Sequence, residues 1–369
     1  MSDVPSPDQL SGAAHPREAH DLMGQDAAQA SFLKAVATDH LHHAWLLTGQ
    51  RGIGKATLAW KIARFLIATR LDRSDDIFDA PPASASLDIP ADHPVNARIL
   101  AGSEPCLLSV TRSVNEKTNR LRADIVVDDV RRLAGFFQMS AADGGHRVVI
   151  VDAADDMNVN AANALLKMLE EPPKNATLLL TSHQPSRLLP TIRSRCRTLR
   201  LNPLNADDMA AALAQADLET GRQTEALAEL SGGSVGDAIR LSVLGGLDLY
   251  AEIISLQGRL PRLDQPRALK LAESVTGQKA EDRLDLLYTL LDIALTRLAR
   301  TGAGHPPVID AAQDEGQIFS KLATSSTSAR AWAATSQTAL ARARHGRAVN
   351  LDPAALVLDT LFKLRETAT

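Results

Sequence analysis

Residues 44–68, AWLLTGQRGIGKATLAWKIARFLIA, decide the fold. Ala44–Thr48 is a short apolar run stopped by glycine, the pattern of a buried strand. Residues 57–68 carry apolar side chains at helical spacing. Between them Gly49-Gln50-Arg51-Gly52-Ile53-Gly54-Lys55 fits G-x-x-x-x-G-K. A loop of that form turns backbone N–H groups toward a phosphate, with a helix N-terminus behind them and the lysine reaching the β and γ phosphates. Gly49, Gly52, Gly54 and Lys55 are therefore candidate phosphate-binding residues. The setting, strand then loop then helix, favours this over a plain glycine turn with a solvated lysine.

The neighbouring positions argue against hydrolysis. A working loop places Ser or Thr after the lysine to hold Mg²⁺; here the residue is Ala56. Thr57 follows, but one residue along a helix turns it about 100° away. Residues 148–152, VVIVD, read as a buried strand delivering an acid, Asp152, toward the same site. An ordinary core strand ending in an exposed acid has the same pattern. The position after it, where a carboxylate would polarise the attacking water, is Ala153. Asp155 and Asp156 do not take that place. The expected site is thus degenerate: Gly49, Gly52, Gly54, Lys55, Thr57 and Asp152 without a metal ligand or a base. It requires no cofactor, and residual ATP, ADP or phosphate at the loop is left open.

Further along, residues 146–152 and 177–181 read as buried strands. Residues 25–37, 125–137 and 160–171 read as helices, the last stopped by Pro172-Pro173. Alternating strands and helices imply a parallel sheet flanked by helices. Residues 1–20 read as a flexible arm. Within 71–120 the stretch DRSDDIFDAPPASASLDIPADHP reads as a mobile insertion. After residue 203 only helices are expected: short ones over 203–246, then longer amphipathic ones over 247–369. Leu287, Leu291, Leu295 and Leu298 share one stripe there. The organisation expected is an arm (1–20), an α/β domain (21–202), a small helical domain (203–246) and an all-α domain (247–369).

Hydrophobic residues make up 45% of the 369 and aromatics only 3%, so Leu, Ile, Val and Ala must fill the cores. A net charge of −4, with no basic or aromatic stripe, argues against a stand-alone nucleic-acid binder. Cys106 and Cys196 make neither a disulfide framework nor a zinc site. Cys196 is expected to pack as a small apolar side chain. A polar N-terminus without an apolar segment and the lack of a run of about 20 apolar residues point to a cytoplasmic protein with no membrane contact.

Three long words then occur in order: HAWLLTGQRGIGKATLA (43–59), NALLKMLEEPP (163–173) and TIRSRC (191–196). They resemble those of bacterial DNA polymerase III clamp-loader subunits, which are AAA+ proteins, and the resemblance spans residues 20 to 200. It implies an AAA+ α/β domain of the phosphate-loop type, then a helical lid and an all-α collar that joins subunits into an open ring. The losses at positions 56 and 153 resemble the non-hydrolysing members, with a gamma- or tau-like active ATPase as the alternative. By the same resemblance Arg195, in Ser194-Arg195-Cys196, is an arginine finger reaching ATP on a neighbouring subunit. Without it, Arg195 would read as one of a solvated cluster with Arg193, Arg197 and Arg200. Ser234-Val235-Gly236-Asp237-Ala238 resembles a segment where active members often carry a nucleotide-sensing arginine. Glycine stands at 236, and Arg240 lies one turn later. Many relatives carry a four-cysteine zinc module where this chain has only Cys106, with His93 nearby in sequence, so no zinc is expected. The implied partners are the gamma or tau and delta subunits and, through the complex, the sliding clamp and primer-template DNA. The implied place is within the DNA-directed DNA polymerase III holoenzyme, without ATPase activity of its own.

Overall fold

Strands β1 (Ala44–Thr48), β2 (Leu107–Val110), β5 (Arg147–Val151), β6 (Ala176–Ser182) and β7 (Arg197–Arg200) form one parallel sheet in the order β2-β5-β6-β1-β7. A short antiparallel pair, β3 (Val114–Asn115) and β4 (Arg120–Leu121), stands apart. The computed structural model describes residues 7–9, 13–19, 21–38, 40–69, 86–115, 117–138, 146–218, 221–276 and 280–369. The register sets Leu46 beside Leu180 on one side and Thr198 on the other, and Val149 beside Leu178. β6 is buried along its whole length, and β1 and β5 along four of their five residues. That is why they read as unbroken apolar runs.

The helices around the sheet are α1 (Asp26–Ala37), α2 (Lys55–Ala68), α3 (Pro94–Leu100), α4 (Val127–Gln138), α5 (Val159–Glu170), α6 (Pro190–Ser194) and α7 (Ala206–Gln215). Asn158 begins α5 by accepting from the Ala161 N–H at 2.9 Å, and Glu171-Pro172-Pro173 ends it. Leu165 and Leu169 of α5 and Val130 and Leu133 of α4 pack with Val149, Val151, Leu178 and Leu180 into one core.

Two expectations from the sequence are corrected here. Residues 71–120, expected as an insertion with its mobile stretch at 72–94, carry regular structure: α3, β2 and the β3–β4 pair lie within or across the end of that range, and β2 is an integral strand of the sheet. Residues 70–85, its acidic and Pro-rich part, lie outside the described residues. The described residues of the arm, 7–9 and 13–19, are not free of the domain either. His15 is buried, ion-paired to Asp8 at 3.0 Å, and its ring meets Trp60 of α2 edge-on at 5.9 Å. Arg64 of α2 donates to the Ala19 carbonyl at 3.0 Å and to that of Arg17. The buried polar groups on α2 make this covering necessary, since a charged side chain does not stay buried without partners.

The chain divides into two compact units, Met1–Ala216 with Ser234–Gly236, and Asp217–Gly233 with Asp237–Thr369. The division falls elsewhere than at 202 and 246: α7 belongs to the first unit and α8 (Thr224–Ser231) to the second. The second unit is helical among its described residues. It continues with α9 (Val235–Val243, whose start belongs to the first unit), α10 (Gly246–Gln257), α11 (Gln265–Glu273), α12 (Ala280–Gly302), α13 (Glu315–Leu322), α14 (Ser326–Ala348) and α15 (Pro353–Thr367). Leu287, Leu291, Leu295 and Leu298 are fully buried, as their stripe predicts. The same core holds an ion pair: Arg297 donates to Glu315 at 2.7 Å and to Glu229 at 2.7 Å, and Tyr250 donates to Glu315 at 2.7 Å. No helix among the described residues is long and apolar enough to cross a membrane.

Candidate functional site

The candidate residues gather at the carboxyl end of the sheet, where parallel α/β folds bind ligands. Gly49 turns the chain out of β1, and Lys55 opens α2. Gly52 and Gly54 adopt φ of +71° and +98°, a region L side chains avoid. Space demands glycine as well: a Cβ on Gly52 would lie 2.5 Å from the Ser234 hydroxyl, and one on Gly54 would lie 2.7 Å from Leu22. The Ser234 hydroxyl donates to the Arg51 carbonyl at 2.8 Å, and the Gly236 N–H donates to the Gly52 carbonyl at 2.9 Å. Residues 234–236 therefore cap the loop through one side-chain hydroxyl and one backbone N–H, with no side-chain cation at 236. Arg240 lies in the second unit.

The Lys55 ammonium is buried and donates to two carbonyls of its own loop, Gly49 at 2.9 Å and Gln50 at 2.6 Å. Asp152, at the end of β5, accepts a hydrogen bond from the hydroxyl of Thr181 on β6. Burial pushes the Asp152 carboxyl above the usual carboxylate range; the Thr181 hydrogen bond opposes this, the Asp8 charge adds to it, and Lys55 and His183 act against it. Ala56 and Thr57 are half-buried in the first turn of α2. The structure thus brings Gly49, Gly52, Gly54, Lys55 and Asp152 into one region.

Tested against a nucleotide with Mg²⁺, these residues fit only in part. The glycine cradle and the helix N-terminus are built for a phosphate. The metal half is not: position 56 is a methyl group, and Asp152 is a buried carboxyl held by Thr181 with a second carboxylate, Asp8, acting on it. Nor does a water-activating base stand nearby in chain. Ala153 follows Asp152, and Asp155 turns beneath the loop after β6, accepting from the N–H groups of His183 at 3.3 Å and Gln184 at 3.1 Å.

Asp155, Asp156 and His183 are the group of potential metal ligands found among the described residues. His183 Nε2 lies 3.3 Å from Asp155, and Arg112 lies 3.5 Å from Asp156, so the acids already have partners. His93 caps α3, accepting from the Val95 N–H at 3.3 Å, and Cys106 precedes β2.

Arg195 lies well away from the loop in chain order, at the end of α6. Its guanidinium is partly exposed, donating to the Thr191 carbonyl at 3.1 Å and pairing with Glu170, the last residue of α5, at 3.0 Å. Arg197, by contrast, stacks over the Trp45 ring at 5.1 Å. The Cys196 thiol is pushed up to about 12 by burial and packs against the core beside α5. Three contributors escaped the sequence reading. Thr181 ends an apolar strand in a hydroxyl, a local signal. Asp8 and Glu170 have none, because their partners are distant in sequence.

A five-stranded parallel sheet with this loop opening α2 and an acid ending β5, followed by a helical C-terminal part, is the AAA+ class of fold. Residues 24–205 match the family described as DNA polymerase III, delta subunit. The delta′ subunit of Pseudomonas aeruginosa is 39% identical over 237 residues, 63% of this chain and 65% of that protein. The delta′ subunit of Escherichia coli is 29% identical over 257 residues, 69% of this chain and 70% of that one. The tau subunit of Salmonella typhimurium is 27% identical over 280 residues, 74% of this chain and 40% of that protein. The matched region thus spans less than two thirds of the Pseudomonas and Salmonella proteins. Residues 24–205 are thus similar to the clamp-loader family of DNA polymerase III, and the likeness of the chain is to its delta′ (delta-prime) subunits.

Proposed function

We propose that this chain is a non-hydrolysing subunit of a DNA polymerase III clamp loader, supplying Arg195 to ATP bound by a neighbouring motor subunit. The observation that carries the reading is a contrast within one domain. The chain's own site has a phosphate cradle without a metal ligand at 56 or a base at 153. The arginine of its Ser-Arg-Cys word is presented at the surface on Glu170 and the Thr191 carbonyl, both weak and exposed contacts. An exposed pair of this kind is worth at most about 1 kcal/mol, so a phosphate on a neighbour can displace it. A forked, permanently charged guanidinium suits a γ-phosphate in which charge develops. The helical second unit then joins the subunits, gamma or tau and delta, and the assembly loads the clamp onto primed DNA.

Co-purification tests the reading. The full chain, tagged in its own cells, should bring down gamma or tau and delta in fixed ratio, and the purified chain alone should turn over no ATP. Recovery as a single species with Mg-dependent ATPase lost on Lys55→Ala would support the alternative, an active gamma- or tau-like subunit.

A further inference from the structure

Of the four arginines between 193 and 200, Arg195 alone is paired with a carboxylate among the described residues. Arg193 and Arg200 are exposed without one, and Arg197 stacks on Trp45. Both terminal nitrogens of Arg195 are engaged within its own chain. Nη1 donates to the Thr191 carbonyl of α6 at 3.1 Å, and Nη2 lies 3.0 Å from Oε1 of Glu170 at the end of α5. The backbone there is anchored: the Arg195 N–H donates to the Ile192 carbonyl at 3.1 Å, and Cys196 packs against the core beside α5. The charged ends are not, with the Arg195 side chain 36% exposed and that of Glu170 51% exposed. Rotation of side chains alone therefore exchanges partners. The Glu170-Glu171-Pro172-Pro173 word offers two carboxylates, and the structure selects one. Glu171, just past the helix, is exposed and makes no ion pair among the described residues.

We propose that Glu170 is the resting acceptor of Arg195, holding the guanidinium on its own subunit and competing for it with the phosphate of ATP on the neighbour. The proposal rests on the reading of Arg195 as a finger acting in trans. Engagement is then an exchange of one anion for another. A guanidinium grips two oxygens through its fork, and two nitrogens of that fork are already spent on Glu170 and Thr191. A phosphate approaching Arg195 also approaches the Glu170 carboxylate, and the two negative charges repel. Glu170 must give way for the finger to work. The pair is exposed and screened by salt, so it tunes the finger without blocking it. The fraction of time the guanidinium is released scales the rate of the site it faces. A carboxylate that held the finger in its working position would act in the opposite sense.

The test is DNA- and clamp-stimulated ATP hydrolysis by a loader reconstituted with the full chain, at low and at high salt. The proteins are wild type, Glu170→Gln, Glu170→Ala, Arg195→Ala, the double variant Glu170→Gln with Arg195→Ala, and Glu171→Gln as control. Subtracting the Arg195→Ala rate leaves the turnover that depends on the finger. Both Glu170 variants should raise that turnover about two- to fivefold at low salt, the range an exposed ion pair spans, with Glu171→Gln like wild type. The gain should shrink as salt rises and should be absent when Arg195 is alanine. A merely structural Glu170 would give neither dependence. No gain in either Glu170 variant overturns the proposal, as does a gain that persists at high salt or without Arg195. If Arg195→Ala removes turnover and the Glu170 variants match wild type, the exchange fails and the finger stands. If Arg195→Ala itself matches wild type, the finger fails and the exchange with it.

Discussion

His146, at the foot of β5, makes acid stability a test of the packing. Its ring is hydrogen-bonded to the Thr177 hydroxyl at 2.8 Å, and burial pulls its pKa from 6.5 down to about 4. The folded state thus holds the imidazole neutral while the unfolded chain charges it. The depressed pKa means that stability is complete above pH 6.5 and declines as pH falls toward 4. At 1.36 kcal/mol per pH unit the cost is roughly 1 kcal/mol at pH 5.5 and about 3 kcal/mol in full. His146→Gln keeps a partner for Thr177 but cannot charge. The assay is urea unfolding at pH 7.5, 5.5 and 4.5 in a Trp332→Phe background, so that Trp45 and Trp60 report the first unit alone. The difference in unfolding free energy between the two proteins should move by roughly 2 kcal/mol in favour of Gln between pH 7.5 and pH 4.5. A difference constant across that range would show that His146 is hydrated in the folded state and that the reasoning is wrong.

Other outcomes follow from the same geometry. The isolated chain should show no ATPase above background, and Ala56→Thr alone should not create it, because the base at 153 is still missing; a phosphate-release assay checks both. Glu315→Ala should destabilise the second unit by about 3–5 kcal/mol, since it leaves Arg297 and Tyr250 without their buried partner. Thermal unfolding monitored at Trp332 measures this, and a loss under 1 kcal/mol would mean that water replaces the carboxylate. Leu180→Ala, at the centre of the first core, should cost about 2–5 kcal/mol by the same method applied to Trp45.

The central strands were legible because burial on both faces leaves an unbroken apolar run, as in Leu178-Leu179-Leu180. The edge strands were not. β7 reads Arg-Thr-Leu-Arg with only Leu199 buried, and β2 is half-exposed along most of its length. An edge strand needs polar outward residues and so resembles a loop. The acidic composition of residues 72–94 hid α3 and β2 behind it. The arm was misread for a related reason: composition reports solubility, while its partners, Trp60 and Arg64, lie about fifty residues on. The phosphate loop is local and was read directly. Its cap at 234–236 arrives through the fold and left no spacing to find.

The central claim rests on Arg195, and one rate measures it: DNA- and clamp-stimulated ATP hydrolysis by a loader reconstituted with this chain. Arg195→Ala should fold and assemble normally, because its exposed pair with Glu170 carries little energy. It should remove the turnover of the one motor site that faces it, since such fingers contribute about 10³–10⁵ in rate in related phosphoryl transfer. Arg195→Lys should restore little, because an ammonium lacks the fork. Arg200→Ala, outside the Ser-Arg-Cys word, should leave the rate within about twofold of wild type, the scale of a surface charge. Equal rates for Arg195→Ala and Arg200→Ala would contradict the account and return Arg195 to an ordinary solvated cluster.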